Sequence, residues 1–227
     1  MKPKKLIIWD FDGVIADSEY LWVGNWLHTL RQLKNLELDE QQTEYYIRGR
    51  ADKTKIERLQ KDYPDLVFDD TFAQTLFENE VKLINSKLEI TPDVEQILQD
   101  GNFAHCIATG ANKIKNTLKI QKLKLEKYFN KDNVFTAYDV KNGKPAPDLF
   151  LYAAQKMGYH PQDCIIIEDS LVGIRAGIAS GIPVIAYIGA TGNNTPEYAA
   201  KCTELGVQYI VKTMRQAHEI LKNFYNE

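Results

Sequence analysis

Short apolar runs alternate with helical segments from residue 93 onward, and this alternation is the feature that most constrains the fold. Each apolar run is of strand length and is followed by a segment with helical periodicity. Such a pattern predicts an α/β fold with a doubly wound parallel sheet. The predicted strands are Phe103–Ala108, Val134–Phe135, Cys164–Ile167, Ile182–Tyr187 and Tyr209–Val211. The predicted helices are Asp93–Gln99, Lys113–Leu123, Asp148–Met157, Gly173–Ser180, Pro196–Leu205 and Met214–Phe224.

One further strand is predicted near the start of the chain, and a helical stretch follows it. The run from Leu6 to Trp9 is wholly apolar, which indicates a strand buried on both faces of a sheet. Residues 17–87 show only helical periodicity, so we expect an α-helical cap inserted over the strand ends. The predicted domains are an α/β core of residues 1–16 and 88–227 and a helical domain of residues 17–87. The helices predicted within it are Asp17–Leu38, Glu40–Ile47, Lys53–Asp62 and Asp70–Ile84.

The composition of the chain indicates which kinds of binding partner to expect. The chain has 227 residues, a net charge of −3 and 44% hydrophobic residues, which is typical of a globular protein. Its sequence has no sustained basic run, no membrane-length apolar stretch and no signal-peptide pattern after Met1, so neither nucleic acid nor membrane is an expected partner. The widely spaced cysteines Cys106, Cys164 and Cys202 indicate reduced thiols and a cytoplasmic location. We expect a monomer.

The first predicted strand ends in two acids one residue apart, Asp10 and Asp12, followed by Gly13. Because side chains alternate along an extended chain, both carboxylates can point to the same side. Two carboxylates held together repel each other and usually need a cation or a shared proton. Ligands of open parallel sheets bind at the carboxyl ends of the strands, where this pair falls. The pair indicates a functional site, although Asp and Gly are also common turn residues.

Polar residues lie at comparable places later in the chain. Thr109 and Gly110 precede a predicted helix, where a hydroxyl and free N–H groups can bind an anion, but Thr is also an ordinary N-cap. Lys144 lies in a proline-rich turn, where it is either a site residue or a solvated lysine. Glu168 and Asp169 directly follow an apolar strand, and buried acids are costly unless they are paired or bind a metal.

Together these strand ends predict a site for a metal ion and a phosphoryl group. Oxygen ligands from Asp10, the Asp12 backbone carbonyl and Asp169 suit a hard octahedral ion such as Mg²⁺. A cation, a lysine and a hydroxyl around one carboxylate can hold a phosphoryl group. The histidines lack zinc-site spacing and are expected to be structural; they are His28, His105, His160 and His218.

These motifs resemble those of a known family. The segments Asp10-Phe11-Asp12-Gly13-Val14, Thr109, Lys144-Pro145 and Glu168-Asp169 resemble, in order, the four signature motifs of the haloacid dehalogenase superfamily. The helical insertion resembles its C1-type cap on a Rossmann-like core. Segments 17–19, 144–150 and 168–174 are similar to the branch that holds sugar-phosphate phosphatases and β-phosphoglucomutase.

The resemblance implies a Mg²⁺-dependent phosphatase that acts on a small phosphorylated metabolite, a sugar or sugar-acid phosphate. It implies that Asp10 is the nucleophile that becomes an aspartyl-phosphate, and that Asp12 is first the general acid and then the general base. Thr109, Gly110 and Lys144 would bind the phosphoryl group. The implied metal site contains Asp10, Asp12, Glu168 and Asp169, with Glu168 acting directly or through water.

The cap is expected to decide the substrate. Arg48 and Arg50 fall in a stretch that could face the site, and guanidinium groups suit an anionic or polyol substrate. Two solvated arginines at a helix end are an equally good interpretation. The linkers Ala16–Ser18 and Lys87–Pro92 are predicted hinges for closure.

Two alternatives remain open. A phosphomutase of the β-phosphoglucomutase type is disfavoured because the cap histidine of the mutases aligns with Trp22, and a basic cap residue aligns near Asp52. A catalytically silent binding protein on the same fold is disfavoured because every motif residue is in place.

Overall fold

The computed structural model describes residues 3–226, which form one six-stranded parallel sheet. Its strands are β1 (Lys5–Trp9), β2 (Phe103–Thr109), β3 (Val134–Thr136), β4 (Cys164–Glu168), β5 (Val184–Tyr187) and β6 (Tyr209–Val211). Their order in space is β3-β2-β1-β4-β5-β6. The chain thus builds the sheet outward from β1 on one side and then on the other, which confirms the doubly wound fold.

The apolar strands are buried on both faces because their side chains alternate between two core clusters. In β1, Ile7 and Trp9 belong to one cluster, whereas Leu6 and Ile8 belong to the other. The first cluster is covered by α5 (Val94–Leu98), α6 (Lys113–Lys122) and α10 (Met214–Asn226). The second is covered by α7 (Asp148–Met157), α8 (Leu171–Ser180) and α9 (Pro196–Glu204).

Four helices lie between β1 and α5, and we call residues 19–87 the helical block. They are α1 (Glu19–Lys34), α2 (Glu40–Tyr46), α3 (Asp52–Asp62) and α4 (Asp70–Lys87). The block has an apolar cluster of its own, in which Trp26 packs against Phe72 with ring centroids 5.4 Å apart. The helical block also packs against the sheet, because three of its side chains belong to the first cluster. They are Leu21, Trp22 and Ile84. The division into two domains stays a prediction.

Some helices end at other residues than predicted, because local backbone geometry determines where a helix stops. Helix α1 ends at Lys34 rather than Leu38 because Asn35 adopts the left-handed conformation (φ 49°) and its N–H bonds to the Leu30 carbonyl. Within residues 3–226 no helix is long and apolar enough to cross a membrane. Cys106, Cys164 and Cys202 are free and buried.

Candidate active site

The carboxyl ends of β1 and β4 place three acids side by side. Trp9 pairs with Ile167, and the backbone N–H of Asp10 donates to the Ile167 carbonyl at 2.9 Å. Asp10 therefore lies alongside Glu168, with Asp169 one residue farther along. All three are buried, Asp169 with 2% of its surface exposed.

Lys144 joins two of these acids. Its Nζ donates to Asp10 Oδ1 at 2.5 Å and to Glu168 Oε1 at 2.7 Å. Although burial alone lowers the pKa of Lys144, the two carboxylates raise that pKa above its usual range, so the ammonium stays charged. The turn lysine is thus a buried neighbour of Asp10 and not a solvated side chain.

Glu168 has partners at both oxygens. Its Oε1 accepts from Lys144, and its Oε2 accepts from the Ser170 N–H at 2.6 Å and the Ser170 hydroxyl at 3.1 Å. A Cβ at Gly173 would lie 1.6 Å from Oε1, so only glycine fits at that point of α8. Glu168 orients Lys144, while its predicted contact with a metal stays a prediction.

Asp169 is held by residues that the sequence analysis did not identify. Asn193 Nδ2 donates to its Oδ2 and to its backbone carbonyl, both at 3.1 Å. Tyr198 donates its hydroxyl to the same carbonyl at 2.6 Å. Gly13, with φ +88°, allows the close approach of Asp169, since a Cβ there would lie 2.1 Å from Oδ2. Among the described residues, Asp169 Oδ1 is buried and has no hydrogen-bond partner.

The electrostatics of these acids fit a divalent cation. Burial raises the pKa of Asp10 to about 7 despite Lys144, and burial together with Glu168 and Asp10 raises the pKa of Asp169 well above its usual value. No set of three His, Cys, Asp or Glu side chains within residues 3–226 is arranged to enclose a metal. Two carboxylates, a backbone oxygen and waters are, however, a typical Mg²⁺ site. The orphaned Asp169 oxygen fits such an ion.

Asp12 has a separate set of partners. Lys119 Nζ, in a side chain 2% exposed, donates to Asp12 Oδ2 at 2.6 Å. Ser18 Oγ and Trp22 Nε1 donate to Oδ1 at 2.7 and 2.5 Å. Burial alone would raise the pKa of Asp12, but Lys119 and these donors hold that pKa below its usual value. Asp12 is therefore an ionised carboxylate, which leaves its backbone carbonyl as the oxygen suited to a metal.

One cavity of about 160 Å³ brings the predicted residues together. Asp10, Asp12, Lys144 and Asp169 line it from the sheet side, and so does Thr109 at the end of β2. The residues Gly110 and Glu168 also line it. The four predicted strand ends thus converge on one partly open cavity, and its small size suits a small molecule.

The two arginines have different surroundings. Arg50 lines the cavity, and its Nη1 donates to the backbone carbonyls of Glu44 at 3.2 Å and Arg48 at 2.6 Å. Arg48 pairs with Glu40 and Glu44, each at 3.0 Å. The structure therefore directs Arg48 toward the acids of α2, and contact of either arginine with a substrate stays a prediction.

With this geometry known, comparison with known proteins decides the family. The family model described as haloacid dehalogenase-like hydrolase matches residues 7–187. The chain belongs to this family. The resemblance drawn from the four motifs is confirmed.

Individual relatives agree with this assignment. The chain is 27% identical over 204 residues to 6-phosphogluconate phosphatase of Escherichia coli (strain K12), covering 89% of this chain and 90% of the relative. It is 38% identical over 85 residues to fructose-1-phosphate phosphatase YqaB of the same organism, covering 37% and 44%. A hydrolase of Deinococcus radiodurans R1, solved with bound phosphate and sodium, has the same fold, with a TM-score of 0.68, 24% identity and coverage of 99% and 97%.

Proposed function

We propose that this hydrolase is a Mg²⁺-dependent phosphatase that acts on a small phosphorylated metabolite, a sugar or sugar-acid phosphate. The observation that carries the proposal is the double contact of Lys144 with Asp10 and Glu168. It ties a candidate nucleophile, a cation and a second acid into one buried cluster beside Thr109. Such a cluster can accept the charge of a phosphoryl group.

The enzyme class of this protein follows from its family and its relatives. Family membership and the two curated relatives, both phosphatases of phosphorylated sugars or sugar acids, confirm the predicted phosphoric monoester hydrolase of the haloacid dehalogenase type. The buried free thiols support the cytoplasmic location that we propose.

Mg²⁺ would be held by Asp10, Asp169 and the Asp12 backbone carbonyl. When bound, it supplies positive charge that lets a carboxylate approach a phosphate dianion. The buried Asp169 oxygen and the crowding of Asp10 with Asp169 and Glu168 support this ligand set.

In the first chemical step, a carboxylate oxygen of Asp10 attacks phosphorus as the bond to the leaving oxygen breaks. Lys144 and the Thr109 hydroxyl stabilise charge on the equatorial oxygens. Asp12 gives a proton to the leaving alcohol, for which it must first be protonated against its pairing with Lys119. The product of this step is an aspartyl-phosphate at Asp10.

In the second step, Asp12 takes a proton from water, which attacks phosphorus and releases Asp10. Asp12 is ionised at this point because it has given its proton to the alcohol, and Lys119 stabilises the ionised form. We also propose that the helical block is a cap, since α1, α3 and α4 contribute one wall of the cavity.

A phosphomutase is the alternative within the same branch. Trp22, where the mutases have histidine, donates to Asp12, and Asp52, near their basic residue, is an acid. Both features favour water as the acceptor. Conversion of glucose 1-phosphate to glucose 6-phosphate without free phosphate would contradict the phosphatase proposal.

The direct test is release of phosphate from p-nitrophenyl phosphate by the full chain. We expect turnover that requires Mg²⁺ and that Asp10→Asn abolishes. A silent binding protein would show no turnover under any metal condition.

A further inference from the structure

A second group of paired charges lies on the wall of the same cavity, between the helical block and α6. Lys115 Nζ of α6 lies 2.7 Å from Asp52 Oδ2 of α3 and 2.6 Å from Glu80 Oε2 of α4. Lys55 Nζ pairs with Asp52 Oδ1 at 3.1 Å. All four residues line the cavity, and we call Asp52, Lys55, Glu80 and Lys115 the paired-charge wall.

The charges of this wall neutralise one another. Lys115 is 9% exposed and Glu80 5% exposed, so each depends on an opposite charge for stability. Burial alone lowers the pKa of Lys115, but Asp52 and Glu80 raise that pKa above its usual range. Each ammonium of the wall thus faces a carboxylate. A second anionic group on a substrate would have to compete with Asp52 and Glu80 for these cations.

The carboxylates of the wall can also accept hydrogen bonds from a ligand. Glu80 Oε2 is buried against Lys115 Nζ, 2.6 Å away, so this oxygen is paired with a cation. Because an ionised carboxylate has about four lone-pair positions, Asp52 and Glu80 can still accept from the hydroxyl groups of a ligand. An ionised carboxylate or a phosphate dianion has no proton to donate, and the two ammonium groups of the wall are already paired with Asp52 and Glu80.

We propose that the paired-charge wall selects substrates whose end remote from the reacting phosphate is uncharged and hydroxylated. Substrates that carry a carboxylate or a second phosphate at that end are rejected. This inference rests on the proposed phosphatase function. It narrows the substrate class from sugar or sugar-acid phosphates to neutral sugar and sugar-alcohol monophosphates.

A matched pair of substrates tests the selection on the unmodified protein with Mg²⁺. Glucitol 6-phosphate and 6-phosphogluconate have the same six-carbon chain and differ at C1, which is a hydroxymethyl group in one and a carboxylate in the other. We expect kcat/KM to be at least about tenfold higher for glucitol 6-phosphate, because a carboxylate at C1 would lose its hydration and find no unpaired cation on the wall. We expect the same order for fructose 6-phosphate over fructose 1,6-bisphosphate. Equal values, or a preference for the charged compounds, overturn the inference.

Single substitutions test whether the paired-charge wall is responsible for this substrate selection. Glu80→Gln removes one negative charge with little change of shape, and we expect the ratio of the two kcat/KM values to shift at least about tenfold toward 6-phosphogluconate. Glu78→Gln, at an exposed position of the same helix, is the matched control and should keep the wild-type ratio. If Glu80→Gln does not fold, Asp52→Asn replaces it in this test, and we expect a shift of the ratio in the same direction.

The outcomes separate this inference from the proposed function. A wall that only fastens the helical block to α6 would change both kcat/KM values by the same factor, which overturns the inference. Wild-type turnover of p-nitrophenyl phosphate without any ranking of the sugar phosphates also overturns the inference, yet leaves the phosphatase proposal intact. Failure to release phosphate from every compound contradicts the phosphatase proposal itself.

Discussion

Asp10 and Asp12 contact different lysines, which supports the different roles that we propose for them. Asp10 contacts Lys144, with its pKa raised to about 7, whereas Asp12 contacts Lys119, with its pKa lowered. The pKa values of two carboxylates one residue apart are thus shifted in opposite directions by burial and charge. A nucleophile must be ionised and a general acid protonated, so in the proposed reaction a bound cation has to keep Asp10 ionised, and Asp12 has to gain its proton against Lys119.

Removal of the Lys144 ammonium should disable catalysis. We expect Lys144→Met to lower kcat by about 10²- to 10³-fold, because the phosphoryl oxygens lose a buried positive charge. Steady-state kinetics with p-nitrophenyl phosphate measure the change. Lys141→Met, at an exposed lysine of the same loop, should keep wild-type activity. Wild-type kcat in Lys144→Met would contradict the role of this lysine.

The largely buried His105 of β2 should make the stability of the folded chain depend on pH. Its Nδ1 accepts from Trp9 Nε1 at 3.2 Å, and burial lowers its pKa from 6.5 to about 4. Between these values the unfolded chain binds the proton and the folded chain does not, so the contribution of His105 to stability falls as pH decreases through this window. From pH 7 to pH 5 this contribution falls by about 2 kcal/mol, which is the difference expected between the wild type and a variant without His105.

Urea unfolding at both pH values measures this loss. His105→Asn removes the titrating group and should remove about 2 kcal/mol of the pH dependence. An unchanged pH dependence in this variant would refute the assignment to His105.

The sequence was sufficient to predict the acids of the site but not the residues that hold them. Asp10 and Asp12 are predicted because two crowded carboxylates at a strand end need a cation or a shared proton, and Asp169 because a buried acid is costly without a partner or a metal. Lys115 and Lys119 resemble the solvated face of a helix, and only the packing of α6 against the cavity shows that both are buried. Asn193 carries no sequence signal, because its contact depends on where the loop after β5 folds back.

At the scale of elements, the strands and most helices follow directly from hydrophobic periodicity. Helix α7 (Asp148–Met157) and strand β6 (Tyr209–Val211) have the predicted bounds. The end of α1 differs because a left-handed residue stops a helix, and apolar periodicity contains no information about it. Periodicity thus predicted elements better than their ends.

The start of α8 approaches Glu168 closely at Gly173, so a methyl group added there should lower activity. In Gly173→Ala the added Cβ would lie 1.6 Å from Glu168 Oε1, so Glu168 and its partner Lys144 must move. We expect kcat/KM to fall about 100-fold, since displacement of a positioning group by about 1 Å has such a cost.

Gly24→Ala in α1 is the matched control, because no heavy atom lies within 4 Å of its added Cβ. It should keep wild-type activity and gain up to about 1 kcal/mol of stability from its higher helix propensity. Equal activity of the two variants would contradict the close packing of α8 on Glu168.

At the scale of the whole molecule, the cavity forms where the helical block meets the strand ends of the sheet. The sequence predicted this placement from the insertion of helices after β1. It did not predict the paired-charge wall, because Asp52, Glu80 and Lys115 lie on separate helices and become neighbours only in the folded chain.

Metal binding should stabilise the entire fold. Bound Mg²⁺ would relieve the repulsion among Asp10, Glu168 and Asp169, and a ligand that binds only the native state at a hundredfold excess over its Kd adds about 2.7 kcal/mol. We expect Mg²⁺ to raise the Tm and EDTA to lower it. Asp169→Asn should lose this response, whereas Asp65→Asn, at an exposed acid, should keep it. A Tm that is independent of Mg²⁺ would contradict the ligand set.

The central claim is that Asp10 becomes covalently phosphorylated during turnover. The most direct measurement is mass spectrometry of the acid-quenched Asp12→Asn variant after mixing with Mg²⁺ and p-nitrophenyl phosphate, whose leaving group departs without a proton from Asp12. In this variant the step that needs a general base is slow, so the account predicts one phosphoryl group on the peptide that contains Asp10. A phosphoryl group on another residue, or continued turnover without any phosphorylated peptide, would contradict the account.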